Sequence, residues 1–188
     1  MKKTAATITT AALAIGGAFA SSPAAHAAEP KDPNAPVLVT EQQVWDSGVN
    51  EGKGGMTYTD DDGHITTGVG ETPISAKIGA RDCHSAKGLV TQVTCGDFEN
   101  GTAADAANTL RDALAAQSKE SMPEGHWYNE LVESEDEHLT IYENFTGSGS
   151  PDGWVVIMEG ESQVSYMHVD SEATFDEAHK LAEMAMTY

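Results

Sequence analysis

Between Leu139 and Val169 the chain passes through three strand-like segments whose connections are too short for anything but direct neighbours. Leu139 to Phe145, Trp154 to Glu159 and Val164 to Val169 are rich in β-branched and aromatic residues. The stretches between them, Gly147 to Gly153 and Gly160 to Ser162, suit antiparallel hairpins, because a parallel return needs a crossover of roughly a dozen residues. In the first segment Leu139, Ile141 and Phe145 fall on one face, and His138, Thr140, Tyr142 and Asn144 on the other. An antiparallel sheet is therefore the framework into which the rest must fit.

Helices are marked by threonines followed three residues later by a side chain that can return the cap. Thr102 with Asp105 predicts a helix to about Ser118, its apolar stripe made by Ala103, Ala106, Ala107, Leu110, Ala113 and Leu114. Thr174 with Glu177 predicts a last helix with Phe175, Ala178, Leu181, Ala182 and Ala185 on one side. Thr40 with Gln43 predicts a short helix over Glu41 to Asp46, carrying Val44 and Trp45 onto the body. Met56 to Thr59 and His64 to Val69 read as strands joined across Asp60, Asp61, Asp62 and Gly63. Beyond Pro73, Ile74 to Ala80 and Leu89 to Cys95 read as strands flanking a turn at Ser85 to Gly88. Strands, helix, three strands and helix predict an α+β fold, an antiparallel sheet with two main helices packed on one face. In element order over residues 56 to 188 the chain is similar to the Mog1/PsbP-like α+β proteins, some of which are exported envelope proteins. The resemblance implies a fold of that plan and assigns no site residue.

The first 27 residues read as a secretory signal peptide. Lys2 and Lys3 open the chain, Ala11 to Ala20 form a short apolar run, and Ala25, His26 and Ala27 supply an A-x-A cleavage pattern. The run is far short of the roughly 20 residues needed to span a bilayer, so membrane insertion is not expected. Residues 28–39, with Pro30, Pro33 and Pro36, read as an extended solvated tail, and 40–188 as one globular domain. Export gives Cys83 and Cys95 an oxidising destination, where a structural disulfide is expected, worth on the order of 3 kcal/mol in the chain-entropy account. A redox pair would use a C-x-x-C spacing, and a zinc site would need partners such as His84. The disulfide pulls against the neighbouring hairpin. Pairing directly across Ser85 to Gly88 would set Cys83 opposite residue 90 rather than Cys95.

Charge narrows the function classes. Lys and Arg number 10 against 30 Asp and Glu, a net charge of −20, which opposes nucleic acid and anionic membranes. Lys180 is the single base among the many acids between Glu120 and Tyr188. That field either keeps an exported protein soluble or steers a cationic secreted or envelope partner. No nucleophile elbow, H-E-x-x-H, phosphate loop or dinucleotide fingerprint is present, so no cofactor is expected; Gly147-Ser148-Gly149-Ser150-Pro151 reads as a hairpin loop. His64, His84, His126, His138, His168 and His179 share no local metal-ligand spacing. Asp60, Asp61 and Asp62 are the calcium candidates, although adjacent carboxylates do not match the alternate positions of an EF-hand loop. Asn144-Phe145-Thr146 is an N-glycosylation triplet.

For partner binding, the candidates are Trp127 and Tyr128, in an apparent loop, and the acids Glu133, Glu135, Asp136 and Glu137. Trp154 reads as core. The sequence thus points to an exported acidic binding or accessory protein without catalysis. The competing readings are a small hydrolase using carboxylate or histidine acid–base chemistry, and a small-ligand or calcium binder.

Overall fold

In the computed structural model the elements run α1 (Glu41–Ser47), β1 (Thr57–Thr59), α2 (Ile74–Ile78), β2 (Ala80–Lys87), β3 (Val90–Phe98), α3 (Ala103–Ala115), β4 (Tyr128–Glu135), β5 (Leu139–Phe145), β6 (Pro151–Glu159), β7 (Val164–Asp170) and α4 (Phe175–Ala185). The structure describes residues 35–49, 57–59, 74–135, 138–170 and 172–186. The signal-peptide reading, the Asp60 to Asp62 turn and the strand expected over 64–69 lie outside the described residues.

Each of the three threonine caps forms as a reciprocal box. The hydroxyls of Thr40, Thr102 and Thr174 accept from the backbone N–H groups of Gln43, Asp105 and Glu177, whose side chains accept the cap N–H in return. Two otherwise orphaned donors are thereby satisfied at each helix start. The Asp105 carboxyl is held below its ordinary pKa by these bonds to Thr102. In α1 only part of the expectation holds: Val44 is buried, but Trp45 is 51% exposed.

All strands pair antiparallel, in the order β1-β2-β3-β7-β6-β5-β4. The strands over 139–169 fall where the alternation places them. Two other expectations are corrected. Ile74 to Ala80 is not a strand: Ile74 and Ile78 are buried on the one-turn helix α2, which Gly79 ends in a left-handed conformation at φ 64°. Apolar residues four apart share a face in a strand and in a helical turn alike, so the pattern does not separate the two. Nor is Ser85 to Gly88 a turn. Ser85 pairs with Val93 and Ala86 with Gln92, leaving Gly88 and Leu89 between the strands. This register sets Cys83 directly opposite Cys95, where the disulfide joins β2 to β3. The hairpin and the bridge support each other once the turn is moved.

A further correction concerns the helices, which do not share one face of the sheet. Val155 and Ile157 of β6, Val164 and Tyr166 of β7, and both cysteines pack with Ala106, Ala107, Leu110 and Leu114 of α3 and with α2. Val156 and Met158 of β6, with Met167 and Val169 of β7, pack instead with Val44 of α1 and with Ala178, Leu181, Ala182 and Ala185 of α4. A helix layer thus covers each side. Burial of both faces also changes the reading of β5, where Thr140, Tyr142 and Asn144 are buried along with Leu139 and Ile141. Tyr142, beneath α3, has its hydroxyl pKa raised by loss of solvent.

The end of the expected solvated tail is part of the body. Pro36 bridges to Met186, and the Val37 N–H donates to the Ala185 carbonyl at 2.8 Å. Val39 is fully buried, and its N–H donates to Gln92 Oε1 at 2.8 Å. Three prolines predict a chain without internal hydrogen bonds, but they do not prevent its remaining amides from pairing with a distant side chain.

Candidate functional site

Strand β4 was not legible as a strand. Its sequence, Tyr-Asn-Glu-Leu-Val-Glu-Ser-Glu, holds three acids, yet it pairs with β5 from Tyr128 opposite Phe145 to Glu135 opposite Leu139. It is the outermost strand at its end of the sheet. A register shift between Leu131 and Glu133 places a bulge at Val132. Bulges and charges are common at sheet edges, where they discourage indiscriminate pairing.

Four large apolar side chains are exposed among the described residues: Trp45, Trp127, Leu131 and Val132. Three of them lie on or immediately before β4, with Trp127 47%, Leu131 60% and Val132 48% exposed. Tyr128 does not join this surface, contrary to its pairing with Trp127 in the sequence reading. It is buried, stacked on Phe145 with ring centroids 4.9 Å apart, and Lys119 Nζ lies 5.8 Å from the centre of its ring.

The start of β4 is held by a buried amide network. Asn144 Nδ2 donates to Asn129 Oδ1 at 2.7 Å, and Asn129 Nδ2 donates to Gln117 Oε1 at 3.2 Å. The Asn129 backbone N–H donates to the Gln117 carbonyl at 2.7 Å, so the segment after α3 covers the edge at this position. The same network removes Asn144 from consideration as a glycan acceptor, since its amide is buried and its nitrogen donates to neighbouring oxygens. Among the proposed acids, Glu133 and Glu135 lie on β4 opposite Ile141 and Leu139, while Asp136 and Glu137 lie outside the described residues.

Other chemistry is less developed. No group of three or more His, Cys, Asp or Glu side chains that could hold a metal occurs among the described residues. The Gly- and Ser-rich loop bonds to itself: Thr146 and Ser148 hydroxyls lie 2.8 Å apart, and the Thr146 N–H donates to the Ser150 carbonyl at 2.9 Å. Trp154 is partly buried on the α4 side, and its indole N–H donates to the Ala173 carbonyl at 2.8 Å. His84 lies 3.2 Å from Asp82 on the exposed surface of β2.

His168 and Asp152 form a pair in which both pKa values are shifted. His168 Nε2 lies 3.8 Å from Asp152 Oδ2. Burial lowers the imidazole pKa below its ordinary value against the opposing pull of Asp152 and Asp170; burial raises that of Asp152 against the pull of His168. Gly153 shapes this corner, because at φ 145° a Cβ would collide with the Val169 carbonyl and crowd His168 Nε2. A histidine with a lowered folded pKa contributes stability above its unfolded pKa, and that contribution is lost as the pH falls and the unfolded chain takes up the proton first. Unfolding free energy is therefore expected to drop as the pH falls through the ordinary histidine value of about 6.5, with the His168→Gln variant showing a shallower fall. The raised pKa of Asp152 acts oppositely, its contribution fading as the pH rises through its folded value. Urea titrations across the histidine range check this: equal slopes for the two proteins would refute it.

No protein-family model matches the chain, and comparison with curated proteins and with solved structures finds no significant match. The similarity in element order therefore brings no site residue with it, and the candidate site rests on the geometry above.

Proposed function

We propose that this chain is an exported, acidic, non-catalytic binding protein that receives a cationic extracellular or envelope partner along β4. The observation that carries the reading is the exposure of Trp127, Leu131 and Val132 beside an outermost strand that also bears Glu130, Glu133 and Glu135. Apolar side chains supply contact area that water leaves on binding, while the surrounding carboxylates raise the encounter rate with a basic surface. The field extends beyond β4, with 16 acids and one base, Lys180, from Glu120 to Tyr188. Export is supported by the three-part N-terminal pattern and by the Cys83–Cys95 disulfide, which suits an oxidising compartment. No helix among the described residues is long and apolar enough to cross a membrane.

The test is calorimetric binding of a short synthetic peptide alternating Lys with Val, compared with the same peptide carrying Glu for Lys. The Lys peptide is expected to bind, to weaken with rising salt, and to lose about tenfold in affinity to the Leu131→Ser variant, which removes apolar contact without changing the charge. Equal affinity for the two peptides, or a Leu131→Ser variant that binds the Lys peptide undiminished, would sink the reading.

A further inference from the structure

The architecture of β4 specifies how such a partner would be held, an inference that rests on the binding role proposed above. The Asn129 N–H points away from β5, since it donates to the Gln117 carbonyl on the outer side of the sheet. Backbone groups of an antiparallel strand alternate between its two edges, and pairing is regular from Tyr128 opposite Phe145 to Leu131 opposite Tyr142. Leu131 therefore presents its N–H and carbonyl on the same outer side as Asn129. Cover from the post-α3 segment reaches Asn129, and among the described residues no strand pairs with the outer edge two residues later, where the exposed side chains of Leu131 and Val132 stand.

We propose that β4 is completed by strand addition from Leu131 onward, and that the added strand is a basic extended segment of another protein. Charge selects this occupant over a second copy of the chain. Two β4 edges laid against each other would bring Glu130, Glu133 and Glu135 of both copies together, and like charges across strands are destabilising. A segment with Lys or Arg at alternate positions meets the opposite condition. Glu133 and Glu135 stand two positions apart on β4, paired in register with Ile141 and Leu139, and two positions is also the spacing at which alternate bases of an added strand recur. Main-chain hydrogen bonds would then give affinity, with the acids and the Leu131–Val132 pair giving selectivity. The bulge at Val132 limits the regular ladder, favouring a short segment over open-ended pairing.

The experiment is amide hydrogen exchange on the full chain, alone and with the Lys–Val peptide, together with a copy of that peptide N-methylated on alternate residues. Bound peptide is expected to slow exchange at the Leu131 amide by about tenfold or more, and the N-methylated copy, lacking donors on one edge, to bind about tenfold more weakly. A Glu133→Lys, Glu135→Lys double variant is expected to reverse the preference toward the Glu–Val peptide. Binding that leaves Leu131 exchange unchanged and is indifferent to N-methylation overturns strand addition while leaving the β4 surface as a binding face. Absence of binding by the Lys–Val peptide overturns both. Protection of Leu131 that grows with protein concentration in the absence of peptide assigns the edge to a second copy and overturns the choice of partner.

Discussion

Replacing Gln92 with leucine is expected to lower the unfolding free energy by about 2–4 kcal/mol and to loosen Val39 from β3. Gln92 is fully buried on β3. Its Oε1 accepts from the Val39 N–H at 2.8 Å, and its Nε2 donates to the Val37 carbonyl at 2.9 Å and to Ser165 Oγ at 3.0 Å. Leucine fills much the same volume but offers neither donor nor acceptor, so the loss comes from the main-chain groups it leaves behind. Thr94 and Ser165 keep a bond to each other at 2.9 Å, which confines the damage to the side facing Val37 and Val39. The deserted Val39 N–H is buried and costs on the order of 1–3 kcal/mol, and the part-buried Val37 carbonyl adds a smaller loss. Urea unfolding measures the total, and hydrogen exchange at Val39 reports the local release. A loss well under about 1 kcal/mol, with the Val39 amide still protected, would show that the N-terminal segment is held by something other than Gln92.

An effect of similar size is expected at Arg111, which ties α3 to the sheet. Its Nη1 lies 2.8 Å from Glu159 Oε2 on β6, and its Nε donates to Thr140 Oγ1 on β5 at 3.1 Å. The two charged side chains are only 18% and 11% exposed. Arg111→Met keeps most of the aliphatic stem but leaves the Glu159 carboxylate without its cation in a largely dry place, at an expected cost of about 2–4 kcal/mol. The partner variant separates the pair from its surroundings. Arg111→Met combined with Glu159→Gln is expected to recover a substantial part of the loss, because the uncompensated charge is gone. If the two substitutions cost simply the sum of their separate effects in denaturant unfolding, the ion pair is not what couples α3 to β6.

These two residues also show where sequence reading stops. Neither belongs to a motif, and their partners are far along the chain: Val39 is 53 positions from Gln92, and Glu159 is 48 from Arg111. The threonine caps behaved differently, since donor and acceptor lie three residues apart and the information is complete within one turn. Strands β5 to β7 were equally readable, because short connections left their segments no other neighbours. The uninterrupted apolar run Val155-Val156-Ile157-Met158 already carried the signature of a strand buried on both faces, which is what the two helix layers impose.

The candidate site was legible only in part. Trp127, Glu133 and Glu135 stood out by residue type, but Leu131 and Val132, the most exposed aliphatic side chains there, have no unusual feature in a linear reading. The strand that holds them is masked by its acids, which oppose the usual strand composition and are tolerated because an edge keeps one side in water. Tyr128 looked like a surface aromatic until pairing set it against Phe145.

The sequence by itself determined where three of the helices begin, the antiparallel run over 139–169 and the acidic character of the C-terminal half, because these depend on neighbours within a few residues or on composition alone. Tertiary structure decided that α3 and α4 cover opposite faces, that residues 36–39 dock on Gln92 and the end of α4, that the hairpin turn sits at Gly88 and Leu89 so that Cys83 meets Cys95, and that β4 is the outermost strand of the sheet among the described residues. Each of those depends on which distant segment supplies the hydrogen-bonding partner or excludes water from a face, and that is fixed only when the whole sheet has assembled.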